Sequence, residues 1–292
     1  MMDLIQILAL PFAGCVIMGV MLSYLGIHVI KREVIFIDIA TAQTAALGSL
    51  AAHLAFHVEA ESLTAYACSL ACVFVMAAFY AGVRAKVTQI SLEVVIGVAY
   101  AITAAAAMLL IGIAPGHAHA SEMLAGNLLW ATWPEIRTIL IAFCAVAVCL
   151  YALRKPLARV SETYREVRRH GWKTILWDFV FYALLGVVIT LAVPILGVVV
   201  AFTMLIVPAT TAALFTERTS LRMTLSTALV AVASVAGLST SYYFDFSVGP
   251  TVAFAMGIIL AIAAPLAALR PRERAKGQPA PLKYNHPAQA ED

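Results

Sequence analysis

Four acids stand inside, or at the edge of, long apolar stretches: Asp38, Glu93, Asp178 and Asp245. A carboxylate in hydrocarbon is costly unless it is protonated, faces a wet cavity or meets a cation. The densest stretch of polar groups is REVIFIDIATAQTAALG, residues 32–48. There Arg32 and Glu33 precede an apolar run that holds Asp38, Thr41, Gln43 and Thr44. Carboxylate and amide oxygens are donors that a divalent metal accepts. On a regular helix Asp38, Thr41 and Ala45 share one face, whereas Gln43 points about 140° away and runs with Ala46, His53 and His57. One straight helix therefore does not close Asp38 and Gln43 on a single ion. At the far end of the segment His53, His57, Glu59 and Glu61 form a cluster that can attract a divalent cation or serve as ordinary interface residues.

The other acids have structural readings beside the functional one. Glu93, in SLEVVIGVAYAI, and Asp178, after Trp177, both stand where a helix begins and can serve as helix-start acids. Asp245, in SYYFDFSVGPTVAF, either ties the junction before Gly249-Pro250 or presents a carboxylate at an external mouth. In the loop GIAPGHAHASEMLAGNLLWATWPE, His117, His119 and Glu122 are able to hold a divalent metal, but a solvated loop with two histidines is the favoured account of them. The sequence holds no Walker lysine loop, no H-E-x-x-H and no nucleophile elbow. Nothing in it points to an enzyme, so ATP-driven work would need a separate ATPase. No nucleic-acid partner is expected.

These residues must be carried by membrane spans. Apolar types make up 63% of the 292 residues and charged types only 12%, about half the charged share of a soluble domain. The fold class expected is an all-α polytopic membrane protein of about nine transmembrane helices. They fall near 8–30, 34–57, 63–83, 90–112, 136–153, 175–193, 195–215, 223–243 and 250–269, each close to the ~20 residues a crossing needs. The segment 195–215, framed or interrupted by Pro194 and Pro208, is the candidate for a broken or re-entrant helix. The start, Met1-Met2-Asp3, lacks a basic leader and an A-x-A site, and the first block reads as a span. The five cysteines all lie in apolar blocks and suggest neither a disulfide framework nor a zinc knuckle.

With nine spans, every one of the 19 lysines and arginines except Arg137 falls on one side. The positive-inside rule makes that side cytoplasmic, the N-terminus external and the C-terminus cytoplasmic. The expected location is the cell membrane, as a multi-pass protein, and the inner membrane if the source is Gram-negative. Residues 1–270 read as one transmembrane permease domain, and 271–292 as a polar, disordered cytoplasmic tail. The longest cytoplasmic loop, RKPLARVSETYREVRRHGWKTILWD, can form a short amphipathic helix over SETYREVRRH, with Ser161 as N-cap and Gly171 as terminator. Such a helix either anchors to anionic lipid or docks a cytoplasmic partner.

Two stretches carry a family resemblance. The first is WDFVFYALLGVVITLAVPILGVVVAFTMLIVPATTAALF, residues 177–215, with Gly197 to Val200, Leu205, Ile206, Pro208, Ala209 and Ala212 in register. The second is GLSTSYYFDFSVGP, residues 237–250, with Gly237, Leu238, Ser241, Tyr242, Asp245, Gly249 and Pro250 in register. Together they make the chain resemble, over about residues 5–270, the membrane permease of ATP-binding-cassette metal importers of the zinc, manganese and iron type. The opening stretch departs from the family marker F-x-G-D-A-L-S-H-A-x-L-P-G. Phe36 and Gly48 match, but Asp38 takes the glycine place, Ile39 the aspartate place and Gln43 the histidine place.

The resemblance implies an importer permease that works as a homodimer with two cytoplasmic ABC ATPase subunits. An extracytoplasmic metal-binding protein would deliver Zn, Mn or Fe, and no cofactor would be held tightly. It implies Asp38, Gln43 and Asp245 as pathway candidates, with His53, His57, His117 and His119 as outer-face candidates. It also puts the basic stretch 156–172 in place of the coupling helix that seats in the ATPase, with Glu162, Arg165, Arg168, Arg169 and Gly171 as coupling residues. The rival is a stand-alone, ion-coupled secondary carrier of metal or another small solute, in which the intramembrane acids carry protons.

Overall fold

Helix boundaries follow the chemistry of the chain closely. The computed structural model describes residues 2–58, 62–86, 89–113, 126, 128–162 and 172–269. Among them are ten α-helices and one 3-10 turn, Leu128–Trp130, with no strand. The helices are α1 (Met2–Lys31), α2 (Ile37–Phe56), α3 (Leu63–Lys86), α4 (Leu92–Ile113) and α5 (Trp133–Ala152). Then follow α6 (Arg154–Glu162), α7 (Trp172–Leu196), α8 (Val198–Phe215), α9 (Thr219–Phe244) and α10 (Val248–Ala268). All but α6 are long and apolar enough to cross a membrane. In hydrocarbon every backbone N–H and C=O must be satisfied within the segment, which is why so apolar a chain resolves into helices.

Three helices end on a non-glycine residue in the left-handed region: α1 at Glu33, α2 at His57 and α9 at Asp245. That conformation turns the chain out of the helix while the residue's own N–H still bonds back, as His57 N–H does to the carbonyl of His53 (2.9 Å). The start of α5 uses the other device. Pro134 sits in the first turn, and the backbone N–H of Thr132 donates to Glu135 Oε2 at 3.0 Å.

Within the segment 195–215, the residues from Val198 on form one uninterrupted helix, α8, with Pro208 in its interior. The break falls before it, at Gly197, the only residue between α7 and α8. Gly197 has φ 81° and ψ 157°, a region in effect reserved for glycine. The backbone of Gly126, itself at φ 79°, lies against this joint. A methyl group on Gly126 would come within 2.2 Å of the Gly197 nitrogen.

The spans pack as two groups. One joins α1 with α8, α9 and α10, and the other joins α2 with α3, α4 and α7; α5 lies at the edge, against α1 and α7. Small residues set the closest approaches, since lipid offers no hydrophobic drive and packing must supply the association. At Gly26 of α1 an added methyl would sit 1.8 Å from the Leu205 carbonyl oxygen of α8. Hydroxyls inside the spans return to their own helix or an adjoining one: Thr41 donates to Ile37 O (2.6 Å), Thr44 to Ala40 O (2.8 Å) and Ser69 to Ala45 O (2.8 Å). All five cysteines are free.

Candidate transport pathway and its buried charges

Span α2 carries two faces, as its spacing predicts. Asp38, Thr41 and Ala45 are buried, while Gln43, Ala46 and His53 are half-buried and His57 is exposed. Thr41 faces α7, its methyl carbon 3.5 Å from where a side chain on Gly186 would begin. Asp38 stands one turn before Thr41, only 3% exposed, and its Oδ1 has no hydrogen-bond partner. On the other face, His53 Nδ1 donates to the carbonyl of Val58 at 2.7 Å. A neutral ring so held keeps its lone pair on Nε2, which makes that nitrogen the one able to bind a metal.

The end of the bundle near Asp38 holds a buried charge network. Arg32, at the close of α1, donates through Nη1 to Asp178 Oδ1 of α7 at 2.6 Å. Arg84, from the last turn of α3, pairs with Asp178 Oδ2. The Arg32 guanidinium also donates through Nε to the Ser161 hydroxyl of α6 (3.0 Å) and lies over the Phe181 ring, 4.1 Å from its centre. Ser161 Oγ lies 3.3 Å from His28 Nδ1. Four helices thus meet on one guanidinium and one carboxylate. The planar fork of arginine suits it to bind two partners at once.

This network corrects two sequence expectations. Asp178 is not a helix-start acid but a buried counter-charge: it lies in the second turn of α7, 1% exposed and paired with two arginines. The absence of a basic residue in mid-span does not leave it without a counter-charge, because arginines counted among the loop charges reach inward from the helix ends. An unexplained buried aspartate is itself the signal that such partners are near. Ser161 lies in the last turn of α6, not at the N-cap of a later helix. The physical cause is Pro156, well placed in a first helical turn, followed by Leu157 and Ser161 on one buried face.

Glu93 does cap a helix start, but that of another span. Its carboxylate accepts the backbone N–H groups of Ile35 (2.9 Å) and Phe36 (3.1 Å), just before α2. Asp245 closes α9, where Ser241 Oγ donates to Phe246 O at 2.6 Å and binds the turn together. Its side chain is exposed, at the opposite end of the bundle from Asp38. The turn places Gly249 near Val200 and Leu196, so the two family markers meet beside the Gly197 joint. Glu59, Glu61, His117, His119, Glu122, Arg165, Arg168, Arg169, Gly171 and the tail 271–292 lie outside the described residues, and only the backbone of Glu162 is described. Among the described residues no three His, Cys, Asp or Glu side chains gather as a metal-holding group.

Comparison with known proteins gives this arrangement its setting. A "probable iron transport system membrane protein" of Haemophilus influenzae is 22% identical over 207 residues, covering 68% of this chain and 73% of the relative. The "manganese import system permease protein ScaB" of Streptococcus parasanguinis is 27% identical over 177 residues, 58% of this chain and 61% of the relative. Two chlamydial metal transport system membrane proteins are matched over 47% of their length. Among solved structures, PsaBC from Streptococcus pneumoniae, in complex with Fab, superposes with a TM-score of 0.71 at 19% identity over 90% of this chain and 93% of the other, a likeness of fold. The model of the ABC 3 transport family matches residues 5–267, and with nearly all of its spans inside that match the chain belongs to this family of multi-pass membrane permeases.

Proposed function

We propose that the chain is the permease of an ATP-driven importer that moves a divalent transition metal (Mn, Fe or Zn) into the cytoplasm. The observation that carries this reading is the family match across residues 5–267, coupled to nine apolar spans among the described residues. Two copies form the route, two separate ATPase subunits drive it from the basic, cytoplasmic side, and an extracytoplasmic protein delivers the metal. Asp245 stands near the entrance. The cation then follows the open stripe of α2 past His57, His53 and Gln43, while Asp38, buried on the other face of α2 with an unpartnered oxygen, is the pathway candidate at the exit end. Scattered single donors suit a path that must release its cargo better than a closed three-ligand site does. His117 and His119 add donors on the outer face.

Uptake into proteoliposomes tests this. The chain is reconstituted with its ATPase and binding protein, and Mn(II), Fe(II) and Zn(II) are offered with and without internal ATP. ATP-dependent accumulation of a metal is expected. Metal movement by this chain alone, driven by a proton gradient and indifferent to ATP, replaces the importer with an ion-coupled carrier.

A further inference from the structure

Helix α6 does not lie loosely on the bundle. Its Leu157 and Ser161 are buried, and Ser161 meets Arg32 and His28 of α1. Arg32 is the last residue before the turn that opens α2, with Glu33 at φ 55° next in the chain. Two residues further, Ile35 and Phe36 are held by Glu93 of α4, and Asp38 follows in the first turn of α2. Polar contacts therefore run from α6 to the Arg32 guanidinium, and from Arg32 the backbone itself, through the turn at Glu33, leads to the Ile35 and Phe36 amides that Glu93 holds at the start of α2. Asp178 and Arg84 fix the other side of that guanidinium to α7 and α3.

We propose that Arg32 is a positioning residue which transmits the position of α6 to the first turn of α2, with Ser161 as the contact through which α6 acts. The proposal rests on the importer reading, in which the segment after α6 seats in the ATPase. Displacement of α6 loads the Ser161–Arg32 contact, and Arg32 shifts the Glu33–Phe36 turn against Glu93. The carboxylate of Asp38 changes surroundings as a result. The salt bridge to Asp178 serves as the fixed point, since a buried pair resists separation. A contiguous network is a physical warrant for coupling only when both ends respond to it, so the test must read both ends.

The test uses the complete reconstituted transporter with Mn(II), Fe(II) and Zn(II) as probes. It measures metal accumulated per ATP hydrolysed, ATPase rate and melting temperature. In Ser161→Ala, accumulation per ATP is expected to fall about threefold to tenfold, the scale of one ordinary hydrogen bond lost. Hydrolysis continues, and Ser161→Thr, which keeps the hydroxyl, restores the ratio. Arg32→Lys keeps the charge beside Asp178 but loses the second donor arm. It should show the same loss, and it carries the test if Ser161→Ala does not assemble. An unchanged ratio in the assembled variants overturns the proposal. So does a fall in hydrolysis and uptake in equal proportion with a lower melting temperature, which marks a purely structural contact. Failure of the unaltered transporter to accumulate any metal with ATP refutes the importer reading instead.

Discussion

Arg32 Nη1 and Asp178 Oδ1 lie 2.6 Å apart, from residues 146 positions distant in the chain, with both side chains buried. The pair joins the end of α1 to the second turn of α7, and Arg84 adds α3. Removing the carboxylate takes from both guanidinium groups the buried acceptor they share. Asp178→Asn should therefore cost about 3–5 kcal/mol, the usual result of breaking a buried pair from one side. Thermal unfolding in detergent checks this, and a melting temperature equal to the unaltered protein's refutes it.

The start of α2 depends on a carboxylate from a different helix. Glu93→Ala removes the acceptor for both the Ile35 and Phe36 N–H groups. The expected effect is local, about 1–2 kcal/mol, and shows as roughly tenfold faster amide exchange at residues 35 and 36. Unchanged exchange at those two amides would mean that the turn is held by other contacts.

Asp38→Asn preserves size while replacing the carboxyl group, whose Oδ1 is buried without a partner, by an amide. The melting temperature should stay within a few degrees, while metal accumulation in proteoliposomes drops about tenfold or more. Asp245→Asn, at an exposed site, should weaken uptake mainly at low metal concentration. Full transport by Asp38→Asn removes that residue from the pathway.

Glycines differ sharply in what they permit. Gly197→Ala meets a forbidden backbone region, at a cost of order 1–3 kcal/mol, and Gly126→Ala drives a methyl into the Gly197 backbone. Both should lower the yield of monodisperse protein. Gly112→Ala, with no atom within 4 Å of the new methyl, is the neutral comparison. Size-exclusion profiles decide the matter, and equal profiles for all three variants count against a tight joint.

Hydropathy alone located the nine spans, because each must satisfy its backbone inside lipid and so announces itself as a long apolar run. The two faces of α2 followed from helical period: Asp38, Thr41 and Ala45 are buried, and Gln43 and His53 are not. What spacing does not carry is partnership across the chain. Arg32 and Arg84 stand at span ends, where arginines ordinarily meet water or lipid headgroups, and nothing local says that both turn inward to Asp178. Glu93 shows the same limit, since its helix-start position is evident but the helix it serves is not its own. The seating of Gly126 on Gly197 is likewise a meeting of distant segments. The α6 boundary moved for a local reason, because Pro156 starts a helix more effectively than Ser161 does.

The Gly197 joint has a mechanical consequence. With one residue between them, α7 and α8 have no slack at that end, and the Gly126 backbone fills the space beside them. Helix α8 has 18 residues, a rod of about 27 Å. Any tilt between the two rods must pivot at the joint, so a rotation of about 10° carries the far end of α8 through roughly 5 Å while the pivot itself hardly moves. The long arm of this lever ends on the side where Arg32, Arg84 and Asp178 meet, so the stiff glycine hinge at one face concentrates displacement at the opposite one.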